Sequence, residues 1–175
     1  MDETASSLKD KIREIPDFPE KGILFRDITT LLKDPNGLAD SVEAIAKALR
    51  DVDFDVVVGP ESRGFIFGMP AAYILNKGFV PARKSGKLPA ETVKKSYGLE
   101  YGRAVVEIHK DAIRGGQRFA LVDDLLATGG TSRAIAELIE ESGGEVAAMV
   151  FLIELGGLGG RRLLEKYCVK SIVKY

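Results

Sequence analysis

The chain has 175 residues, with 25 basic and 26 acidic side chains and a formal net charge of −1. That length allows one domain with a substantial core, and the balanced charge argues against a general nucleic-acid binder, which would show a basic face. One cysteine, Cys168, excludes an internal disulfide and a cysteine-only metal cluster, and one histidine, His109, excludes His-rich zinc sites and leaves little room for a Ser-His-Asp triad. No signal peptide or long apolar span is visible, so the expectation is a soluble, cytoplasmic protein with no membrane or nucleic-acid partner.

Residues 1–13 predict a short amphipathic helix with Leu8 and Ile12 on one side. Pro16, Pro19 and Gly22 then break helix, so 15–28 is expected as an ordered loop. Its Phe18, Ile23, Leu24 and Phe25 need something to cover, either the core or a flat ligand. After a Pro35-Asn36-Gly37 turn, Leu38, Val42, Ile45, Ala46 and Leu49 repeat at helical spacing to about Arg50. Val52 to Val58 predicts a buried strand that ends at Gly59-Pro60-Glu61-Ser62-Arg63-Gly64. Phe65 to Leu75 is apolar almost all round, which predicts a largely buried helix. A loop between a strand's C-terminal end and a helix is where open α/β sheets bind ligands, and Arg63 there is placed to meet an anion.

Phe79 to Ala82 predicts a short strand, and Arg83, Lys84 and Lys87 follow it. Such a run is usually a solvated loop. Here it follows another strand end, on the same predicted ligand side. Residues 91–102 are polar, and 103–109 alternate, Ala104, Val106 and Ile108 against Val105 and Glu107, with His109 at the strand end. A hairpin with a mobile tip fits, and long polar loops in compact domains are often lids.

The most informative stretch is 118–132. Phe119-Ala120-Leu121-Val122 reads as a strand buried on both faces. Asp123 and Asp124 stand where it should end, and Thr128-Gly129-Gly130-Thr131-Ser132 leads into a helix with Ala134, Ile135, Leu138 and Ile139 on one face. The glycines let backbone approach a ligand, and the first helical amides are unpaired donors at the positive end of the helix dipole. That is an anion site suited to a terminal phosphate. The two carboxylates cannot bind phosphate, but they can accept from hydroxyls or hold a divalent cation through water. Diol and phosphate together describe a ribose 5-phosphate. Val146 to Leu155 predicts a strongly apolar strand, 161–165 a short helix and 171–173 an edge strand, with Cys168 read as half-buried and structural. No complete dinucleotide-binding or Walker A fingerprint and no internal repeat occur.

The 118–132 stretch resembles the phosphoribosyl diphosphate (PRPP) motif of type I phosphoribosyltransferases: four apolar residues, two acids, then Thr-Gly-Gly-Thr. Pro16-Asp17-Phe18-Pro19 with Gly22-Ile23-Leu24-Phe25-Arg26-Asp27-Ile28, the Arg83-Lys84…Lys87-Leu88-Pro89 run, and Ser96-Tyr97-Gly98-Leu99-Glu100-Tyr101-Gly102 are similar to the adenine phosphoribosyltransferases within that family. The resemblance implies an α/β fold, a doubly wound, mostly parallel sheet with a small N-terminal hood and a flexible β-hairpin loop. It implies one domain over 1–175, with the hood at 1–35 and the catalytic loop at 91–102. It implies transfer of a phosphoribosyl group from PRPP to adenine, giving AMP and diphosphate, in purine salvage by a homodimer. Glu100, Tyr101 and Arg63 are the implied catalytic residues. PRPP or AMP would meet Asp123, Asp124, Ala127, Thr128, Gly129, Gly130, Thr131, Glu61, Ser62, Arg63, Arg83, Lys84 and Lys87. Adenine would meet Leu24, Phe25, Arg26 and Leu155. Mg²⁺ would be held mainly through PRPP and water, with Asp123 a candidate ligand. Glu61–Ser62 would be the non-proline cis peptide often found in the diphosphate loop. The alternatives are transfer to another base (hypoxanthine, guanine or xanthine) or a PRPP-sensing regulator of the same fold.

Overall fold

The computed structural model describes residues 3–98 and 103–175, in two units, Met1–Ala44 and Ile45–Tyr175. The first unit holds α1 (Glu3–Asp10), β1 (Arg13–Pro16), β2 (Leu24–Asp27), α2 (Thr29–Lys33) and most of α3 (Pro35–Leu49). The expected loop at 15–28 is corrected here, because β1 and β2 pair as an antiparallel ribbon with Ile15 opposite Phe25. The helix breakers that argued for a loop are compatible with it: Pro16 closes β1, and Pro19 and Gly22 lie in the connection, so neither interrupts the ladder. Phe18–Pro19 is a cis peptide. Asp27 locks the end of the ribbon. Its carboxylate accepts from the Thr29 amide at 2.9 Å and from Arg13 Nη2 at 2.5 Å, and these bonds hold it at about pKa 2. Pro35 opens α3, and the side chain of Asp34 caps it by accepting from the Gly37 amide at 2.6 Å.

The second unit is built on a seven-stranded sheet. Along the chain it contains β3 (Val56–Pro60), α4 (Arg63–Ile74), β4 (Gly78–Lys84), β5 (Thr92–Gly98), β6 (Arg103–His109), β7 (Arg118–Leu126), α5 (Gly130–Glu141), β8 (Glu145–Glu154), α6 (Gly160–Leu163) and β9 (Val169–Lys174). The spatial order is β5-β6-β4-β3-β7-β8-β9. Strands β4, β3, β7, β8 and β9 run parallel, while the β5–β6 hairpin adds antiparallel strands at one edge. The central strands are continuous apolar runs because helices cover the sheet; β3 is buried at every residue. Val58, Phe119, Leu121, Ile135, Met149 and Phe151 form the middle of the core.

Four expectations change. β7 does not end at Val122 but runs through both aspartates to Leu126, because β8 stays in register beside it, Asp123 opposite Phe151 and Leu126 opposite Glu154. Thr92–Gly98 is a paired strand, so Lys94 and Lys95 sit in a ladder rather than in a loop. Helix α4 is not buried all round: Met69, Tyr73 and Ile74 are exposed. Cys168 is exposed as well, just before β9.

The end of β8 is fastened by a two-pronged ion pair. Arg161 donates to Glu154 through Nε at 2.7 Å and Nη2 at 2.6 Å, and its Nη1 reaches the Val169 carbonyl at 3.0 Å. Arg161 holds the Glu154 carboxyl down from its ordinary 4.5 to about 2. A carboxylate with a lowered native pKa stabilises the fold fully above its unfolded value, and the contribution fades as pH falls toward the native value. Glu154→Gln is therefore expected to melt a few degrees below the wild type at pH 7, about 1–2 kcal/mol for a partly screened pair. The gap should close between about pH 4.5 and 2 in melts at stepped pH.

Candidate active site

The sheet winds in one direction from β3 to β4 and in the other from β7 to β8 and β9, so the switch point lies between β3 and β7. Ligands of such sheets sit beyond the carboxyl ends of the strands at that point. Two loops meet there: Glu61–Ser62 after β3 and Ala127–Gly129 after β7.

The loop after β7 is an anion cradle made of backbone. Gly129 takes φ +82 and is the N-cap of α5, with no side-chain hydrogen bond to the helix. The first amides of α5 are thus left to a ligand, at the positive end of a 12-residue helix. The shape of the loop is set from behind. A Cβ on Gly160 would lie 2.2 Å from the Ala127 carbonyl oxygen, and one on Gly129 would lie 3.0 Å from the Gly160 carbonyl oxygen. Two backbones therefore touch, which only glycine permits. Leu155 is tied in by its amide, which donates to the Leu126 carbonyl at 2.9 Å. Thr128 is exposed at the mouth, and Thr131 Oγ1 bonds the hydroxyl of Tyr97 at 3.2 Å.

The loop after β3 supplies charge. Glu61–Ser62 is cis, and Ser62 is the exposed N-cap of α4. Arg63 Nε lies 2.9 Å from Asp124 Oδ2. Asp123 as a residue is partly exposed, yet its carboxyl lies against the turn: a Cβ on Gly64 would sit 2.9 Å from Asp123 Oδ1 and 2.6 Å from Pro60 Cδ. Burial, and then the charge of Asp124, push the Asp123 carboxyl well above the usual carboxylate range. Burial raises Asp124 too, with Arg63 pulling the other way. Neighbouring carboxylates in a desolvated site cannot both ionise cheaply. The pair is set to receive hydroxyl donors or a cation that would complete its ionisation.

The basic run lies where β4 leaves the sheet. Arg83 Nε donates to Glu61 Oε2 at 3.0 Å, the Lys84 amide donates to the same oxygen at 3.0 Å, and Arg83 Nη1 donates to the Lys87 carbonyl at 3.0 Å. The Glu61 side chain thus grips the cation rather than opposing an incoming anion. Pro60, Glu61, Arg83, Lys84, Tyr97 and Thr131 line a cavity of about 140 Å³. A larger open groove of about 770 Å³ is lined by Glu154, Arg161, Arg162 and Tyr167, among others. Its Glu154 is already engaged by Arg161, and neither the backbone cradle at Gly129 nor the Asp123–Asp124 pair lines it.

The expected Glu61, Ser62, Arg63, Arg83, Lys84, Lys87, Asp123, Asp124, Ala127, Thr128, Gly129, Gly130, Thr131 and Leu155 all lie in the second unit, where contacts join Arg63 to Asp124, Arg83 to Glu61 and Lys87, and Leu155 to Leu126. Leu24, Phe25 and Arg26 form β2 in the first unit. There the Phe25 ring meets Phe18 edge-on at 5.2 Å, and Arg26 pairs with Glu14. Phe18, Ile23 and Leu24 keep much of their surface exposed, so the core does not cover them. Leu99, Glu100, Tyr101 and Gly102 lie outside the described residues. Sequence reasoning gave no site role to Gly160, Gly64, Tyr97 or Glu107. The glycine-rich run at 156–160 was visible, but nothing local tied it to a loop some thirty residues earlier. Glu107 gave no signal, because alternation on a strand does not say whether its polar face is covered.

Among known proteins, residues 27–174 match the phosphoribosyl transferase domain. The chain is 60% identical over 169 residues to the adenine phosphoribosyltransferase of Agathobacter rectalis, covering 97% of each. The crystal structure of the adenine phosphoribosyltransferase from Thermoanaerobacter pseudethanolicus superposes with a TM-score of 0.95 at 54% identity, over 98% of this chain and 99% of that one. The Saccharomyces cerevisiae adenine phosphoribosyltransferase, complexed with adenine and D-2,5-dideoxy-2,5-imino-altritol 1,6-bisphosphate, superposes with a TM-score of 0.91 at 39% identity, over 98% of this chain and 99% of that one.

Proposed function

The chain belongs to the adenine phosphoribosyltransferase family, and on that premise we propose that it transfers the 5-phosphoribosyl group of PRPP to adenine, releasing AMP and diphosphate. The observation that carries the reading is the switch-point pair: an uncapped α5 N-terminus behind Gly129 and, just upstream, Asp123 and Asp124 with Arg63 against them. The cradle takes the 5-phosphate. The aspartates take the ribose hydroxyls and place negative charge near the cationic character that develops at the anomeric carbon. Arg63, Arg83 and Lys87 stabilise the departing diphosphate. No covalent nucleophile is required. Glu100 and Tyr101 are proposed to complete the site from the hairpin tip and exclude water, which would otherwise hydrolyse the activated sugar.

Mg²⁺ is proposed to arrive with PRPP. Among the described residues no group of three or more His, Cys, Asp or Glu side chains could hold a metal. Two adjacent aspartates, with Asp123 the candidate ligand, suit an ion that keeps its waters and takes its remaining ligands from a substrate diphosphate. When bound, it neutralises charge on that diphosphate. Both substrates are small solutes, and we place the enzyme in the cytoplasm. Among the described residues no helix is long and apolar enough to cross a membrane.

The assay that tests the function is turnover of PRPP and Mg²⁺ with a panel of purine bases; AMP formed from adenine supports it, and no AMP overturns it. A homodimer is proposed as the working form, supported by the exposed Met69, Tyr73 and Ile74 of α4, an apolar surface that a monomer would leave to water. Tyr73→Glu is expected to weaken self-association by about tenfold or more, since it puts a charge into a desolvated contact. Sedimentation that finds wild type and variant equally monomeric, or equally dimeric, would remove α4 as the interface.

A further inference from the structure

Glu107 is 1% exposed, on a strand that the sequence reads as half solvated. A buried carboxylate is costly unless donors surround it. Here they do. Glu107 Oε1 accepts from the Lys87 amide at 3.0 Å and the Leu88 amide at 3.1 Å. Glu107 Oε2 lies 3.2 Å from Lys94 Nζ and 3.5 Å from Thr92 Oγ1. Burial by itself would raise its pKa; the Leu88, Gly86 and Lys87 amides and Lys94 overrule that and hold it at about 2. The carboxylate is therefore a fixed anion with its own nest inside the turn between β4 and β5.

Lys87 is held from both sides. Its amide donates to Glu107, while its carbonyl accepts from Arg83 Nη1 at 3.0 Å. Arg83 in turn donates to Glu61 at 3.0 Å, beside the Glu61–Ser62 turn. A continuous chain of contacts thus runs from Glu107 through the Lys87 backbone and the Arg83 guanidinium to the loop after β3. We propose that Glu107 is a positioning residue that sets Arg83 and Lys87 for the diphosphate of PRPP, acting through the Lys87 backbone and touching no substrate itself. The proposal rests on the PRPP reading given above.

Steady-state kinetics with Mg²⁺ separate this role from a merely structural one. Glu107→Gln keeps the shape and removes the charge. It is expected to raise the KM for PRPP about tenfold or more, with kcat within about threefold and the KM for adenine within about twofold. Because Glu107 acts in part through Arg83, the Glu107→Gln/Arg83→Ala double variant should raise the KM for PRPP by clearly less than the product of the two single effects. In amide hydrogen exchange on the ligand-free variant, Lys87 and Leu88 should lose protection while β3 and β7 keep theirs. If Glu107→Gln does not fold, Glu107→Asp decides. It keeps the charge but falls short of both amides, and the same selective rise in KM is expected. An unchanged KM for PRPP, an equal loss for both substrates, or additive effects in the double variant would overturn the proposal. If the wild type does not use PRPP and adenine at all, the functional reading has failed, whereas amide exchange still reports whether Glu107 holds the turn.

Discussion

Adenine is expected to be used with a kcat/KM on the order of a hundredfold or more above that of hypoxanthine or guanine. The edge of adenine presents an amino donor at its six-position and an acceptor at N1, whereas hypoxanthine and guanine present a carbonyl acceptor and an N–H donor. The family resemblance assigns the readout to backbone in Leu24-Phe25-Arg26, which forms β2 of the two-stranded ribbon. A strand residue offers its N–H and its C=O on the same side, so one residue can meet a donor–acceptor pair. A backbone pair cannot exchange roles. The wrong base leaves two polar groups facing their own kind, each at about 1–3 kcal/mol. Leu24→Val should leave the preference standing, because the readout is main-chain and Leu24 is an exposed side chain. Deleting the hood should abolish base binding. Comparable kcat/KM values for adenine and hypoxanthine in the intact protein would refute the assignment of β2 and of the base.

Asp123→Asn and Asp124→Asn should each cut turnover about tenfold or more without unfolding the protein. Both side chains lie at the switch point, Asp124 against Arg63 at 2.9 Å and Asp123 over Gly64. Asparagine keeps the size and an acceptor oxygen but removes the charge that faces the developing cation. The loss therefore belongs in kcat rather than in folding. Asp124→Asn has a second effect, because it removes the carboxylate charge that competes with diphosphate for Arg63. KM for PRPP should then fall or hold while kcat drops. Circular dichroism and turnover check this together. Wild-type turnover in both single variants, with unchanged spectra, would sink the ribose-binding role. A pH consequence follows. Both carboxyls sit above the usual range through burial, and both act as carboxylates. The kcat/KM for PRPP should therefore fall on the acid side at a higher pH than an ordinary aspartate would give, and the limb should shift in either variant.

The sequence by itself determined the parts whose physics is local. Phe119-Ala120-Leu121-Val122 reads as buried strand because both faces are apolar, and Gly129-Gly130 followed by a helical pattern reads as an anion cradle because the orphan amides belong to one turn. The paired aspartates beside that cradle carried the ribose phosphate reading, and the family motifs at 16–28 and 96–102 narrowed the base. Tertiary structure decided whatever depends on a neighbour distant in the chain. β7 runs on through Asp123 and Asp124 because β8 stays paired beside it. Residues 13–16 and 24–27 are strands because they find each other, although prolines and a glycine lie in and around them. Helix α4 is apolar all round, yet only one side is covered, since the sheet has one face to offer it. Glu61 looked like an anion-loop residue and is the clamp on Arg83, and Glu107 looked like a surface position and is a buried hub. Both carboxylates are defined by donors some twenty residues away, and no periodicity or spacing in the chain encodes which amides will close around a side chain.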